Sequence, residues 1–268
     1  MRILICIKQV PDTTEIKIDP VTNTLIREGV PSVLNPYDGY ALEAAARIKD
    51  RTPDTHLTVL TMGPPQAEAA LRECLSTAAD KAYLLTDRAF GGSDTLATSY
   101  ILASAIRRLE ELDGAFDMVF CGKQAIDGDT AQVGPDIAEH LGLPQVTYAL
   151  EVREASAGSL QILRETEEGK QVVEIRCPCL VTFTKPVFDL RFPSFRRRAA
   201  ARSAEIPHLG AADIPDIDLT RSGLKGSPTK VKRTFVPPRK QSGVIIRGET
   251  AEKAAEKLAE ALSSAHVI

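Results

Sequence analysis

Two familiar phosphate-binding signatures are missing from the 268 residues of this chain: there is no G-x-G-x-x-G and no G-x-x-x-x-G-K-[ST]. The first absence argues against a dinucleotide held by that fingerprint, and the second excludes a P-loop cradle. Long apolar runs are lacking too. None reaches the roughly 18 residues that a bilayer span needs, and the apolar stretch within Met1–Val10 is too short for a signal peptide. A soluble, cytoplasmic protein without a transmembrane segment is expected. Neither sign of charge dominates: the formal net charge is -3, which leaves no electrostatic footprint for nucleic acid. The four histidines, His56, His140, His208 and His266, are scattered without metal-ligand spacing, and no metal site is expected. Of the five cysteines, Cys6, Cys74, Cys121, Cys177 and Cys179, three lie in apolar runs or on a helical stripe. They read as buried free thiols of a reducing compartment, and Cys177-Pro-Cys179 lacks the second pair that a metal or redox motif would want. No nucleophile–base pair stands out. Binding or electron carriage therefore fits better than hydrolysis or group transfer.

What the chain does have is apolar residues, 43% of the total, enough for a sizeable core. Residues 2–7 predict a buried strand. After a polar loop from Pro11 to Asn35, Pro36 stands at a helix start, with Tyr40, Ala44 and Ile48 recurring behind it. Strands follow at 57–62, 82–85 and 116–121. They alternate with helices marked by Ala67, Leu71, Leu75 and Ala78, by Leu102, Ile106, Leu109 and Leu112, and by the run from Thr130 to Leu141. This alternation predicts an α/β fold, a mostly parallel sheet with helices on both faces, Rossmann-like. Further strands are expected at 146–152, 160–164, 172–175 and 180–183, the middle two as a hairpin continuing the sheet edge. Residues 186–248 are proline-punctuated and weakly periodic, an arm that must lie over another surface or be disordered. An amphipathic helix from Glu249 to Ser263 needs something to dock on. The expected division is 1–185, 186–248 and 249–268.

The loops after the first four strands, 8–12, 62–65, 86–95 and 122–130, should converge at the carboxyl edge of the sheet. Gly122 to Gly134 is the richest of these junctions. Asp129 with Gln132 has capping-box spacing, which would leave first-turn amides and the Thr130 hydroxyl for an anion. Gly122 and Gly128 would let backbone approach a ligand and Lys123 would add charge, although capping and glycines can simply make a good helix start. Gly91-Gly92-Ser93-Asp94-Thr95 is a weaker phosphate candidate, readable as a turn before a helix that Ser93 or Asp94 caps. Asp127 and Asp129 have the oxygen chemistry for a hard cation, but turn formation explains them more simply. Arg196–Arg198 with Arg202, beside Phe188, Phe192 and Phe195, is open to three readings: a solvated helix start, docking to an acidic protein, or stacking on RNA bases.

Certain residues carry more than local chemistry. Val10-Pro-Asp12, Asn35–Asp38 with Ala41-Leu-Glu43, Met62-Gly-Pro64, and above all Gly122–Gly134 continuing to Leu143–Thr147, make the chain resemble the beta subunit of electron-transfer flavoproteins over essentially its full length. The resemblance implies a heterodimer with a larger alpha subunit, in which this chain is the adenine-nucleotide-binding domain III and its C-terminal arm and helix embrace the partner. Simple members hold AMP here. Bifurcating members hold a second FAD that NADH reduces, passing one electron to ferredoxin or flavodoxin and the other through the alpha-subunit FAD to an acyl-CoA dehydrogenase.

Lys17–Pro20, Asp87–Thr95, Gly128–Thr130 and Asp189–Phe192 resemble the bifurcating form. The implied cofactor contacts are Cys6, Lys8, Asn35, Met62, Gly122, Lys123, Asp127, Thr130, Ala131, Gln132, Val133 and Gly134. The isoalloxazine would reach toward Asp87, Phe90, Gly91, Gly92 and Thr95. Phe188–Arg197 corresponds to the recognition loop for the dehydrogenase, with Phe188, Leu190, Phe192, Phe195 and Arg196 as contacts. Many members carry a leucine anchor there, where this chain offers Phe192 and Phe195. The resemblance implies no covalent catalyst, only positioning and tuning of a flavin within an NADH-dependent acyl-CoA dehydrogenase/ferredoxin reductase complex. A carrier with structural AMP, and a nucleotide-binding sensor of the same general fold without a redox role, stay open.

Overall fold

A computed structural model describes residues 1–12, 31–156, 158–232 and 243–268. The motif Lys17–Pro20 and most of the loop expected from Pro11 to Asn35 lie outside the described residues, as do 233–242 of the arm. Two compact units are formed, Met1–Lys232 and Arg233–Ile268.

The first unit is built on a nine-stranded sheet in the order β11-β5-β4-β1-β6-β10-β7-β8-β9. The strands are β1 (Arg2–Ile7), β4 (His56–Met62), β5 (Lys81–Leu85), β6 (Met118–Gly122), β7 (Gln145–Ala155), β8 (Ser159–Thr166), β9 (Gly169–Arg176), β10 (Cys179–Phe183) and β11 (His208–Leu209). β1 pairs parallel with both β4 and β6, and β10 pairs parallel with β6 and β7. β7, β8 and β9 form an antiparallel meander at one edge. The expected α/β class with helices on both faces is what forms, and the hairpin continues the sheet edge as the pattern implied. Two short strands, β2 (Gln9–Pro11) and β3 (Ser32–Leu34), pair antiparallel where only loop was expected. Three-residue strands carry too little alternation to stand out in a sequence.

Pleating explains the layers. Ile3, Ile5 and Ile7 of β1 face one core, together with α1 (Pro36–Arg51), α2 (Glu68–Thr77) and α5 (Phe195–Ser203). Leu4 and Cys6 face the other, with α3 (Thr95–Asp113) and α4 (Val133–Leu141). Alternate side chains of a strand point to opposite faces, so a strand clothed on both sides reads as a continuous apolar run. Each fully buried Ile or Leu contributes about 1.5–3 kcal/mol. Leu112, expected on the buried stripe of α3, is half exposed (50%). It lies in the last turn, where Leu109 is already the final residue in the core.

Residues 186–232, which include the short α6 (Gly223–Gly226), belong to this same unit, with Ala201, Ile206, Leu209 and Ile214 buried in it. In the second unit, α7 (Ala251–Ser264) is capped by Thr250, whose hydroxyl accepts the Lys253 amide at 3.3 Å. None of the α7 residues is buried. Among the described residues no helix is long and apolar enough to cross a membrane.

Candidate functional site

β1 has β4 on one side and β6 on the other, so the chain reverses direction across the sheet between β1 and β6. Ligands of open parallel sheets bind in the crevice beyond such a reversal. Here Lys8, just past β1, reaches Asp127, beyond β6, with its ammonium 2.7 and 2.8 Å from the two carboxylate oxygens. The Lys8 side chain is 45% exposed and that of Asp127 17%.

Asn35, 1% exposed, ties the same loops together. Its amide donates to the Gln124 carbonyl at 2.8 Å, its carbonyl accepts the Ile126 amide at 3.2 Å, and its backbone N–H donates to Lys8 O at 2.9 Å. The floor is Asp38, in the first turn of α1. Its carboxylate accepts the backbone amides of Lys8 (2.7 Å) and Gly122 (3.1 Å), joining the ends of β1 and β6. Burial pushes the Asp38 carboxyl up to about 7, although those amides favour its ionised form. Asp38 was read only as part of a family motif, not as a site residue. An acidic residue in a helix first turn is ordinarily a response to the helix dipole, and nothing local signals its burial.

The Gly122–Gly134 loop differs from its expected form. α4 begins at Val133, three residues later than expected, and Gln132, not Asp129, occupies the cap position. Asp129 and Ala131 both have positive φ, 51° and 54°, so no helical turn can include Thr130. Asp129 instead accepts the Gln124 amide at 2.6 Å, and Gln132 accepts the Thr95 hydroxyl at 3.0 Å rather than reaching back to a cap. Left-handed non-glycine residues carry strain of about 1–3 kcal/mol and concentrate at functional sites. They leave the Val133 and Gly134 amides at the helix start without a side-chain cap, and Pro135 has no N–H to satisfy. That is an anion-ready terminus.

Gly122 serves a different purpose from the one its sequence context implied. A Cβ there would collide with the Asp38 carboxylate and lie 2.8 Å from the Asp38 amide nitrogen, so the missing side chain admits α1 and not a ligand. Gly128 has nothing within 4 Å of such a Cβ, leaving its backbone open as expected. Gly134 packs on Thr182. Lys123 lies over the Tyr148 ring, 4.9 Å from its centroid, and Tyr148 itself has φ 59°.

The remaining candidates flank this cradle. Cys6 and Cys121 sit at paired positions of β1 and β6, where the Cys6 contact and burial hold the Cys121 thiol well above its ordinary range. Met62 ends β4. In the 86–95 loop, Asp94 caps α3 by accepting the Ala97 amide at 3.0 Å. Asp87 accepts the amides of Ala211 (3.0 Å) and Ala89 (2.8 Å), which hold its carboxyl below the usual range. Gly91 and Gly92 are exposed, but the Phe90 side chain is 3% exposed in the α3-side core. The Thr95–Gln132 bond joins this loop to the cradle.

The expected partner residues lie on a segment that packs along α1, where a Cβ at Gly39 would meet Leu190 at 3.5 Å. Arg191 is held by Glu43 (2.8 Å) and Asp50 (2.7 Å), and the Phe188 ring lies 3.9 Å beneath the Arg47 guanidinium. Leu190 (40%), Phe192 (93%) and Phe195 (94%) are exposed, as is Arg196. Arg197 turns inward to the Leu75 and Ala79 carbonyls.

Uncapped amides, open backbone at Gly128 and a lysine at a sheet crevice are together the chemistry of an anion site. The model of the electron transfer flavoprotein domain matches residues 22–214. The electron transfer flavoprotein subunit beta of Megasphaera elsdenii is 51% identical over 251 residues, 93% of this chain and 92% of the relative. The chain belongs to the electron transfer flavoprotein beta-subunit family. The Caffeyl-CoA reductase-Etf complex subunit CarD of Acetobacterium woodii is 48% identical over the whole of both chains. Protein FixA of Bradyrhizobium diazoefficiens is 47% identical over 98% of this chain and 91% of its own. As an electron transfer flavoprotein beta subunit, the chain acts in electron transfer within a flavoprotein complex, with cofactor binding of the flavin or nucleotide type.

Proposed function

We propose that this chain holds FAD rather than AMP, takes electrons from NADH and bifurcates them. One electron goes to ferredoxin or flavodoxin, and the other passes through an FAD of the alpha subunit to an acyl-CoA dehydrogenase. The observation that carries this reading is the Thr95–Gln132 hydrogen bond. It sets a second loop beside the cradle, where a flavin needs a further wall of contacts and AMP does not. The full-length likeness to a subunit of a caffeyl-CoA reductase complex supports the same reading.

The residues have separate tasks. Lys8 and the Val133 and Gly134 amides bind the diphosphate, Asn35 and Asp38 hold the loops that carry them, and the 86–95 loop orients the ring. FAD supplies the electron chemistry. Phe192 and Phe195 fit the part of anchors for the dehydrogenase, since exposed aromatics beside arginines are the usual residues of interface hot spots. The unburied α7 suits docking on the alpha subunit.

Denaturing the purified heterodimer and counting released cofactor tests the reading. Two FAD per heterodimer are expected, and one FAD with one AMP sinks it. NADH should bleach flavin absorbance, with ferredoxin reduced only when the acyl-CoA acceptor is present.

A further inference from the structure

Residues 207–229 return to the far edge of the sheet and then fold over the 86–95 loop. β11 adds beside β5, and the Thr86 amide donates to Leu209 O at 3.0 Å. The segment next crosses α3, where the Asp218 amide donates to the Tyr100 hydroxyl (2.8 Å) and the Arg221 guanidinium lies 4.0 Å from the Tyr100 ring centroid. It then takes up the polar groups of the loop. The Gly223 amide donates to Ser93 Oγ at 2.9 Å. Ser227 Oγ accepts the Asp94 amide at 2.8 Å and donates to Gly223 O at 2.7 Å. The Thr229 amide donates to the second carboxylate oxygen of Asp94 at 2.9 Å.

Two details separate this from ordinary tail packing. Ser222 and Ser227 are 2% and 3% exposed, buried polar groups in a segment whose neighbours are mostly exposed. The fit is also close: Gly92 has φ +75°, and a Cβ there would meet Leu224 Cγ at 2.6 Å. Asp94 divides its carboxylate, capping α3 through one oxygen and holding Thr229 through the other. Any shift of the segment is thus passed to Asp94 and then to its neighbour Thr95, which bonds the cradle at Gln132.

We propose that residues 218–229 are a positioning clamp for the 86–95 loop, with Ser227 and Leu224 setting where that loop stands against a flavin ring. The proposal rests on the FAD reading above. The hydrogen bonds of residues 218–229 given above fall on α3 and the 86–95 loop and not on Lys8, Val133 or Gly134, so loosening the clamp should alter the environment of the ring and leave the cofactor bound.

The test uses the heterodimer carrying Ser227→Ala, and separately Leu224→Ala, which trims an exposed contact without leaving a buried polar group alone. Hydrogen exchange over residues 88–98 is expected to quicken about tenfold in both variants, with exchange in the interior of α3 unchanged. Two FAD should still be released per heterodimer. The bleaching rate at saturating NADH should fall about tenfold, and the reduction potential of one flavin should shift while that of the other stays. Unchanged exchange in both variants overturns the clamp. Quickened exchange with unchanged bleaching and potentials overturns its positioning role. A wild-type heterodimer that releases one FAD with AMP overturns the flavin half together with the FAD reading, while the exchange measurement still decides the clamp.

Discussion

The carboxylate of Asp38 fills the volume that a side chain at Gly122 would occupy, and it accepts the Gly122 amide across 84 residues of sequence. This contact joins the helix that starts at Pro36 to the strand that ends at Gly122, beside the bonds that Asn35 makes to Gln124 and Ile126. The cradle stands on it.

Gly122→Ala should therefore destabilise the chain by about 1–3 kcal/mol, the cost of overpacking a filled site. Gly128→Ala, placed in open space, should change stability by no more than about 0.5 kcal/mol, as surface substitutions do. Urea midpoints of the two variants make the comparison. Equal midpoints would mean that Gly122 is not packed as described.

Asp38 should also make stability depend on pH. Its carboxyl titrates at about 7 when folded, against an ordinary 3.8, so between those values the folded state binds the proton that the unfolded state has released. Its contribution is full below about 3.8 and is lost as pH rises to about 7, with a slope of at most about 1.4 kcal/mol per pH unit. Asp38→Asn keeps one acceptor and leaves one amide facing an NH2 group, a constant cost of about 1–3 kcal/mol. Urea unfolding at pH 5, 6, 7 and 8 should show wild type losing stability relative to Asp38→Asn as pH rises, then a plateau. A difference that is flat with pH would place the Asp38 carboxyl in the ordinary range.

Lys8 should matter to binding more than to folding. In its ion pair with Asp127 the lysine is exposed and the carboxylate half-buried, and pairs open to solvent on one side contribute about 0–1 kcal/mol. Lys8→Met should barely move the unfolding midpoint of the ligand-free chain. It should weaken ADP binding about tenfold, equivalent to about 1.4 kcal/mol, by calorimetry at low salt. Unchanged affinity would remove Lys8 from the cradle.

Arg191 holds the segment that displays Phe192 and Phe195. Glu43 is only 4% exposed and pairs with both Arg191 and Arg47. Arg191→Ala leaves Glu43 with one partner, so a loss of about 1–3 kcal/mol is expected, less than for a fully orphaned buried charge. Limited proteolysis within 186–194 should speed up. Arg191→Lys should rescue poorly, because an ammonium cannot bridge two carboxylates as a planar guanidinium does. Full rescue by lysine would show that charge alone holds the segment.

Periodicity carried most of the fold. The alternation of buried strands with helical stripes places β1, β4, β5 and β6 and the loops beyond them, because burial on two faces leaves a mark on every residue of a strand or helix. The cradle was legible to the same extent: the Gly122–Gly134 composition marks a strand-to-helix junction, and its family signature is long. The start of α4 was not legible. Asp129 and Gln132 have the spacing of a cap, yet both side chains are committed to Gln124 and Thr95, and the backbone turns left-handed between them.

The sequence by itself determined the layers, the carboxyl-edge loops and the family. The layers and loops depend on local patterns that repeat every two or every three to four residues, and the family on motifs that stand whole in the sequence. Only the tertiary structure decided that Asp38 is the floor of the site, that Gly122 makes room for it, and that Ser227 holds Asp94 across 133 residues. Each of these is a single contact between distant segments. A hydrogen bond formed at long range changes no periodicity and no composition, so it becomes visible only when the chain has brought its two ends together.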